Sequence, residues 1–351
     1  MFPYRIQEMT DRHTTMNILY QFDEAYSPYA GVSLTSLFIN HADSPEINVY
    51  ILGEALSSCS VSRFQLLAKQ YGRKITFLNS DRILRKIREL GIPKYRGSFA
   101  ANMKLFFSSE IEEKVERLLY IDSDTLITGP LEPLFHLSMK EYPLAMALDS
   151  LGEKHKRYIG LQKMEPYFNS GVILFNLKKW RELDCEKLLA EHALHSRSHY
   201  MSPDQDLLNV VFKNKILCLN LKYNFQPIHY QFDFKYYSKI WGADHYYTEQ
   251  EVTDAFSDIR IMHFFRFAGD FPWNIGSVHP YTDAFNHYLS LSFWKNSQRS
   301  PSQKNILFSI EKWLYRHLSQ PLFLMIFKFS YELFIYRSEQ DSKKKRNNHI
   351  M

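Results

Sequence analysis

The chain has 351 residues, 45% of them hydrophobic, 23% charged and 16% aromatic, a composition that supports a large core and excludes an intrinsically disordered protein. Its net charge of +5 sits in the last stretch: nine basic residues against four acids fall between 304 and 346, leaving a neutral body that argues against nucleic acid as a partner. Cys59, Cys185 and Cys218 are scattered without CxxC spacing, which excludes a disulfide framework or a cysteine zinc site and suits a reducing compartment.

Residues 16–22 read as an apolar strand ending at Asp23, and 28–40 as a helix with Val32, Leu34, Leu37 and Phe38 on its apolar side. Strands over 47–52 and 74–78 alternate with helices over 60–71 and 81–90. Residues 98–106 read as a further helix, 117–121 as a strand delivering Asp122 and Asp124, and 144–148 as a strand ending at Asp149. This order predicts right-handed βαβ units in an α/β fold, a single mostly parallel sheet flanked by helices. Ligands on such sheets gather at the carboxyl ends of the strands, so the loops at Asp23, Asp122 and Asp149 are the candidates. Beyond 150, short apolar runs at 171–175, 216–219 and 259–263 stand among aromatic-rich stretches. Residues 297–305 are linker-like and precede a basic tail.

Asp122-Ser-Asp124 is the sharpest chemical signal. Residues i and i+2 of an extended chain point to one side, and two carboxylates held there repel unless a cation lies between them. A hard divalent ion bridging a diphosphate is such a cation.

With 98–106, the apolar strand before Asp122, Phe168-Asn-Ser-Gly-Val-Ile-Leu-Phe-Asn-Leu177, Ser202-Pro-Asp-Gln-Asp-Leu-Leu-Asn209, Ile261-Met-His-Phe264 and Phe271-Pro-Trp273, the chain resembles glycosyltransferase family 8 over about residues 16–275. That family contains glycogenin and bacterial lipooligosaccharide galactosyltransferases. The resemblance implies a GT-A type domain over 16–296. It also implies a Mn²⁺ site (Mg²⁺ possible) of Asp122, Asp124 and His263, with Ser123 alongside. Asp23 and Tyr26 would meet the uracil and ribose of a UDP-sugar, and Asn169, Ser170 and Gly171 the donor sugar. Asp204, Gln205 and Asp206 match the DQD motif, with Gln205 beside the anomeric carbon; Asp204 and Asp149 join it as catalytic candidates. The family's donor-side arginine corresponds to Asn102 here, with Lys104 two residues on. Phe271 replaces a phosphate-binding lysine in a stretch that includes Gly269, and Arg266 is the candidate to supply that charge. Ala25 stands where a polar residue is common.

The implied activity is retaining transfer of glucose or galactose from a UDP-sugar to a hydroxyl on a cell-surface glycan, glycolipid or glycoprotein precursor. The alternative is a catalytically weak nucleotide-sugar-binding protein of the same fold. Residues 304–351, apolar and aromatic with Lys312, Arg316, Lys328 and Lys343 to Arg346, suit an amphipathic region on an anionic membrane, or else a helical pair packed on the body. Without an apolar signal core in the first fifteen residues, the expected location is cytoplasmic, on the inner face of the plasma membrane.

Overall fold

In the computed structural model, which describes residues 15–44, 46–150, 153–195, 200–241, 246–266, 268–299, 301–302 and 305–348 (without the side chains of 241 and 341–348), strands and helices alternate from the start. β1 (Met16–Asp23), α1 (Ser27–Asn40), β2 (Ile47–Glu54), α2 (Ser58–Gln70), β3 (Lys74–Phe77) and α3 (Ser80–Glu89) come first. β4 (Arg117–Ile121), β5 (Thr125–Ile127), α4 (Glu132–Phe135) and β6 (Leu144–Leu148) follow. Next are α5 (Glu153–Tyr158), β7 (Phe168–Asn176), α6 (Leu177–Glu182), α7 (Cys185–His195), α8 (Pro203–Val211) and β8 (Ile216–Cys218). The chain continues through α9 (Pro227–Gln231), α10 (Phe234–Trp241), α11 (Glu249–Ser257), β9 (Ile261–His263) and α12 (Thr282–Leu291) to α13 (Ile306–His317) and α14 (Gln320–Asn348).

The main sheet runs β3-β2-β1-β4-β7-β6-β8. Its pairs are parallel except that β7 lies antiparallel to both β4 and β6. All nine residues of β7 are buried, so its continuous apolar run carries no sign of direction. The core lies on both faces. Ile18, Tyr20 and Phe22 pack with Leu34, Phe64 and Trp294 on one, and Leu19 packs with Tyr120, Phe175 and Trp180 on the other. Each such side chain contributes about 1.5–3 kcal/mol by leaving water. A second, two-stranded sheet pairs β5 with β9 and sets Thr125 opposite His263.

Residues 98–106, read as a helix, form one of the 3₁₀ type over Ala100–Leu105. The strand ends capture its polar groups. Glu54 accepts from the Phe99 and Ala100 N–H groups at 2.9 Å each, and Gln21 Nε2 donates to Ala101 O at 2.7 Å.

The tail packs on the body. Phe323 and Leu324 are buried with Ile228, Phe232 and Tyr237, and Lys328 Nζ donates to Ile240 O at 2.7 Å. The outer face keeps Trp313 57% and Phe329 70% exposed. No described helix is long and apolar enough to cross a membrane. Lys304 and the side chains of the Lys343 to Arg346 cluster lie outside the described residues.

Candidate active site

A cleft of about 350 Å³ opens at the carboxyl ends of β1, β4 and β6. Asp23, Tyr26, Lys104, Asp122, Ser123, Asp124, Asp149, Asn169, Ser170, Gly171, Asp204, Gln205, His263 and Arg266 all line it.

β4 and β9 create the acidic end. The Asp122 N–H donates to Gly171 O at 2.7 Å, extending the β4–β7 ladder into the cleft, and the Phe264 N–H donates to Asp124 O at 2.8 Å. The Thr125 hydroxyl donates to Asp122 O at 2.8 Å and closes the turn between the two acids. One ligand atom from each of Asp122, Asp124 and His263 lies within 4.8 Å of the others. His263 Nε2 is 3.3 Å from Asp124 Oδ1 and 3.6 Å from Asp122 Oδ2, yet it is buried without a hydrogen-bond partner among the described residues.

The orientation of that imidazole follows from a backbone donor. The Gly171 N–H donates to Asn169 Oδ1 at 2.9 Å, which fixes the Asn169 amide and directs its Nδ2 to Asp149 Oδ2 at 2.9 Å. Asn224 Nδ2 donates to the same Asn169 oxygen at 2.8 Å, so Asn224 Oδ1 faces His263 Nδ1, 2.9 Å away. Nδ1 therefore carries the proton and the Nε2 lone pair points at two carboxylates. Only a proton or a cation relieves that arrangement. Burial opposes protonation of His263, but Asp124 outweighs it and raises the pKa. Burial pushes Asp122 up, with Lys104 opposing; for Asp124, burial is outweighed by His263 and the pKa falls. Two carboxylates and a neutral imidazole tethered through its other nitrogen fit a divalent metal.

Lys104 supplies the cleft's buried cation. Only 1% exposed, its Nζ lies 2.8 Å from Asp204 Oδ2, 3.5 Å from Asp122 Oδ1 and 3.0 Å from Ser170 O. Desolvation disfavours the charge, but the Asp122 and Asp204 carboxylates raise its pKa on balance. Gln205 Oε1 accepts from the Ser170 N–H at 3.0 Å, and its Nε2 donates to Asp149 Oδ2 at 3.2 Å and Tyr167 OH at 3.1 Å. Burial raises the pKa of Asp149.

Three anticipated residues do not line the cleft. Asn102 is buried and donates to Pro93 O at 3.0 Å; the side chain turned inward is Lys104, two positions later. Asp206 is wholly buried, accepting from Tyr167 OH at 2.6 Å and meeting His155 Nε2 at 2.8 Å. Gly269, at φ 75°, borders the tail helix at Tyr315. Arg266 does reach the cleft, but its guanidinium pairs with Glu311 and lies 4.2 Å from the Phe308 ring, so its charge already has a partner. Phe271 stacks on Trp273 with centroids 4.6 Å apart.

Sequence reading missed Tyr95, Arg96, Phe327 and Tyr331, all of which line the cleft. Arg96 adopts φ 48° before Gly97 at φ 92°, a left-handed pair that turns the chain. Burial works against the Arg96 charge, but Tyr95, Tyr26 and Asp124 raise its pKa on balance. The available signal was a basic residue and glycine in a loop just before the residues that enter the cleft. Asn224 has no such signal, because it acts through partners distant in sequence.

Residues 17–274 match the family described as "Glycosyl transferase family 8". A putative glycosyltransferase of Haemophilus influenzae is 31% identical over 226 residues, covering 61% of this chain and 64% of that relative, just under two thirds of its length. A lipopolysaccharide 1,2-glucosyltransferase of Escherichia coli K12 is 26% identical over 308 residues, covering 86% of this chain and 85% of the relative. In fold, the chain is similar to the galactosyltransferase LgtC solved with donor and acceptor sugar analogues: TM-score 0.65, 24% identity, 81% of this chain and 100% of the other. The chain is a glycosyltransferase of the GT-A type fold and belongs to glycosyl transferase family 8.

Proposed function

We propose that the protein is a Mn²⁺-dependent retaining hexosyltransferase. It moves glucose or galactose from a UDP-sugar to an acceptor hydroxyl on a cell-surface glycan, glycolipid or glycoprotein precursor. The observation that carries this reading is the unpartnered His263 Nε2 facing Asp122 and Asp124. Relatives named for transfer to lipopolysaccharide support the acceptor class.

A bound divalent ion, Mn²⁺ or Mg²⁺, would neutralise charge developing on the diphosphate as it leaves. Asp122, Asp124 and His263 would hold that ion, and Arg96 would meet the nucleotide side beside Tyr26. Asp23 and Tyr26 would bind the uridine, with Ser123, Asn169, Ser170 and Gly171 along the donor. Gln205 cannot serve readily as a nucleophile, since its Oε1 already accepts from the Ser170 N–H and an amide is a weak nucleophile. Attack therefore comes from the face the diphosphate leaves. The bond from the anomeric carbon to the phosphate oxygen breaks with its electron pair on UDP. The acceptor oxygen bonds that carbon, and its proton passes to the departing phosphate. Asp149 and the Gln205 Nε2 border the reacting carbon, while Lys104 holds Asp204 and Ser170 in place.

The weakly catalytic alternative would follow from Asn102 and Phe271 standing where the family has an arginine and a lysine; neither lines the cleft, whereas Lys104 and Arg96 do. Membrane association belongs to the same proposal. The outer faces of α13 and α14 leave Ile306, Trp313, Phe329 and Phe334 more than half exposed on the basic part of the chain, which would hold the enzyme on an anionic membrane surface.

The test is Asp124→Asn, with UDP release measured from UDP-glucose and UDP-galactose in Mn²⁺. The variant should fold and lose metal-dependent release. Full activity in the variant, or in wild type with chelator, rejects the assignment.

A further inference from the structure

The donor and metal residues account for the strand side of the cleft. The opposite wall comes from the tail: Phe327 and Tyr331, both on α14, line the same cavity as Asp149 and Gln205. The Tyr331 hydroxyl meets His155 Nδ1 at 3.4 Å, and the carboxylates of Asp149 and Asp206 act on it. Tyr331 therefore belongs to the end of the cleft where β6 stops and the reacting carbon would sit.

Hydrogen bonds that converge on Asp206 tie this helix to the reaction centre. Gln205 Nε2 donates to Tyr167 OH at 3.1 Å, and that hydroxyl donates to Asp206 Oδ1 at 2.6 Å. His155 Nε2 lies 2.8 Å from the same carboxylate oxygen, which leaves Nδ1 to accept from Tyr331. Lys154, just before His155, pairs with Glu332, just after Tyr331, at 2.9 Å. The tail thus docks on α5, the helix that follows β6 and Asp149.

We propose that α14 is the acceptor wall of the active site, with Phe327 and Tyr331 contacting the sugar whose hydroxyl attacks. Sugars present C–H faces that pack on aromatic rings and hydroxyls that bond to a phenol. The cleft needs such a surface on the side away from UDP. The proposal rests on the transferase reading of the cleft and assigns residues that reading does not require. It also makes the tail part of the site in addition to any role at a membrane.

The test uses the full chain with Mn²⁺, UDP-glucose or UDP-galactose, and a panel of methyl glucosides, methyl galactosides and lactose. The quantity read is the partition of released UDP between glycoside product and free hexose. Tyr331→Ala and Phe327→Leu should shift it at least fivefold toward free hexose, and Tyr331→Phe by less. Circular dichroism checks the fold, and Tyr331→Phe serves if Tyr331→Ala does not fold. A wild-type partition in the folded variants overturns the proposal, as does wild-type hydrolysis that no glycoside in the panel diverts or suppresses. If wild type releases no UDP from either donor, the donor reading falls instead, and this inference with it.

Discussion

Gly171 lies directly against the imidazole of His263. A methyl group added at its α-carbon would meet His263 Cε1 at 2.1 Å and Nδ1 at 2.7 Å. The glycine is needed for this approach, since its φ is not in the left-handed range. Gly171→Ala should push the ring from Asn224 and from the two carboxylates together. A displacement of about 1 Å at reacting groups can lower a rate on the order of a hundredfold, so metal-dependent UDP release should fall by about that factor. Overpacking should cost about 1–3 kcal/mol in stability. Steady-state kinetics and urea unfolding read the two effects separately; retention of most activity would show that the ring has room to move.

Lys104 gives the second prediction. Desolvation of its ammonium is offset because Asp204 at 2.8 Å and Asp122 at 3.5 Å share it. Lys104→Met keeps much of the volume but strands two carboxylates, and breaking a buried pair costs about 3–5 kcal/mol. Adding Asp204→Asn should return part of that loss, because one stranded charge disappears with it. Urea unfolding of the two single variants and the double closes the cycle. Strict additivity would mean that the pair does not couple.

The alternating βα order and the acidic pair were legible because both are local patterns. An apolar run ending in Asp-Ser-Asp specifies a strand and what stands at its end. Placing His263 beside the pair needed the family resemblance, since the β5–β9 pairing joins residues more than a hundred apart and leaves no local trace. Of the two donor-side candidates, Asn102 and Lys104, only Lys104 enters the cleft. In a 3₁₀ turn, residues two apart lie on different faces, so Asn102 points to Pro93 and Lys104 into the cleft. The tail was legible as apolar and basic, but not in which face meets the body. Phe323 and Leu324 turn inward while Phe329 turns outward on one helix, and only the partner surface decides between them.

The pH dependence follows from His263, whose pKa in the folded, metal-free protein is raised. A raised histidine pKa contributes stability that is fully present below its unfolded value, about 6.5, and is lost as pH rises through the folded value. Relative to His263→Gln, metal-free wild type should therefore lose its advantage in thermal midpoint on going from slightly acidic to alkaline buffer. Mn²⁺ requires the neutral ring, so its binding should release a proton and its stabilising shift should grow over the same pH rise. Differential scanning fluorimetry with and without Mn²⁺ measures both trends. A Mn²⁺ shift largest at low pH would remove His263 from the ligand set.

The last prediction separates the two faces of the tail. Trp313 and Phe329 are 57% and 70% exposed, whereas Phe323 and Leu324 hold the helices to the body. Removing the whole tail would also remove Phe327 and Tyr331 from the cleft, so it cannot separate membrane binding from catalysis. The combined change Trp313→Ser and Phe329→Ser touches only the outward face. Each lost apolar side chain should weaken vesicle binding by up to about 1.5–3 kcal/mol if it enters the bilayer fully, so sedimentation with phosphatidylglycerol vesicles should fall at least tenfold. Added salt should weaken wild-type binding as well, because basic residues flanking the apolar face contribute through a screened attraction. Equal vesicle binding by wild type and the double variant would reject this face as the membrane contact and leave the tail's role to its inward side.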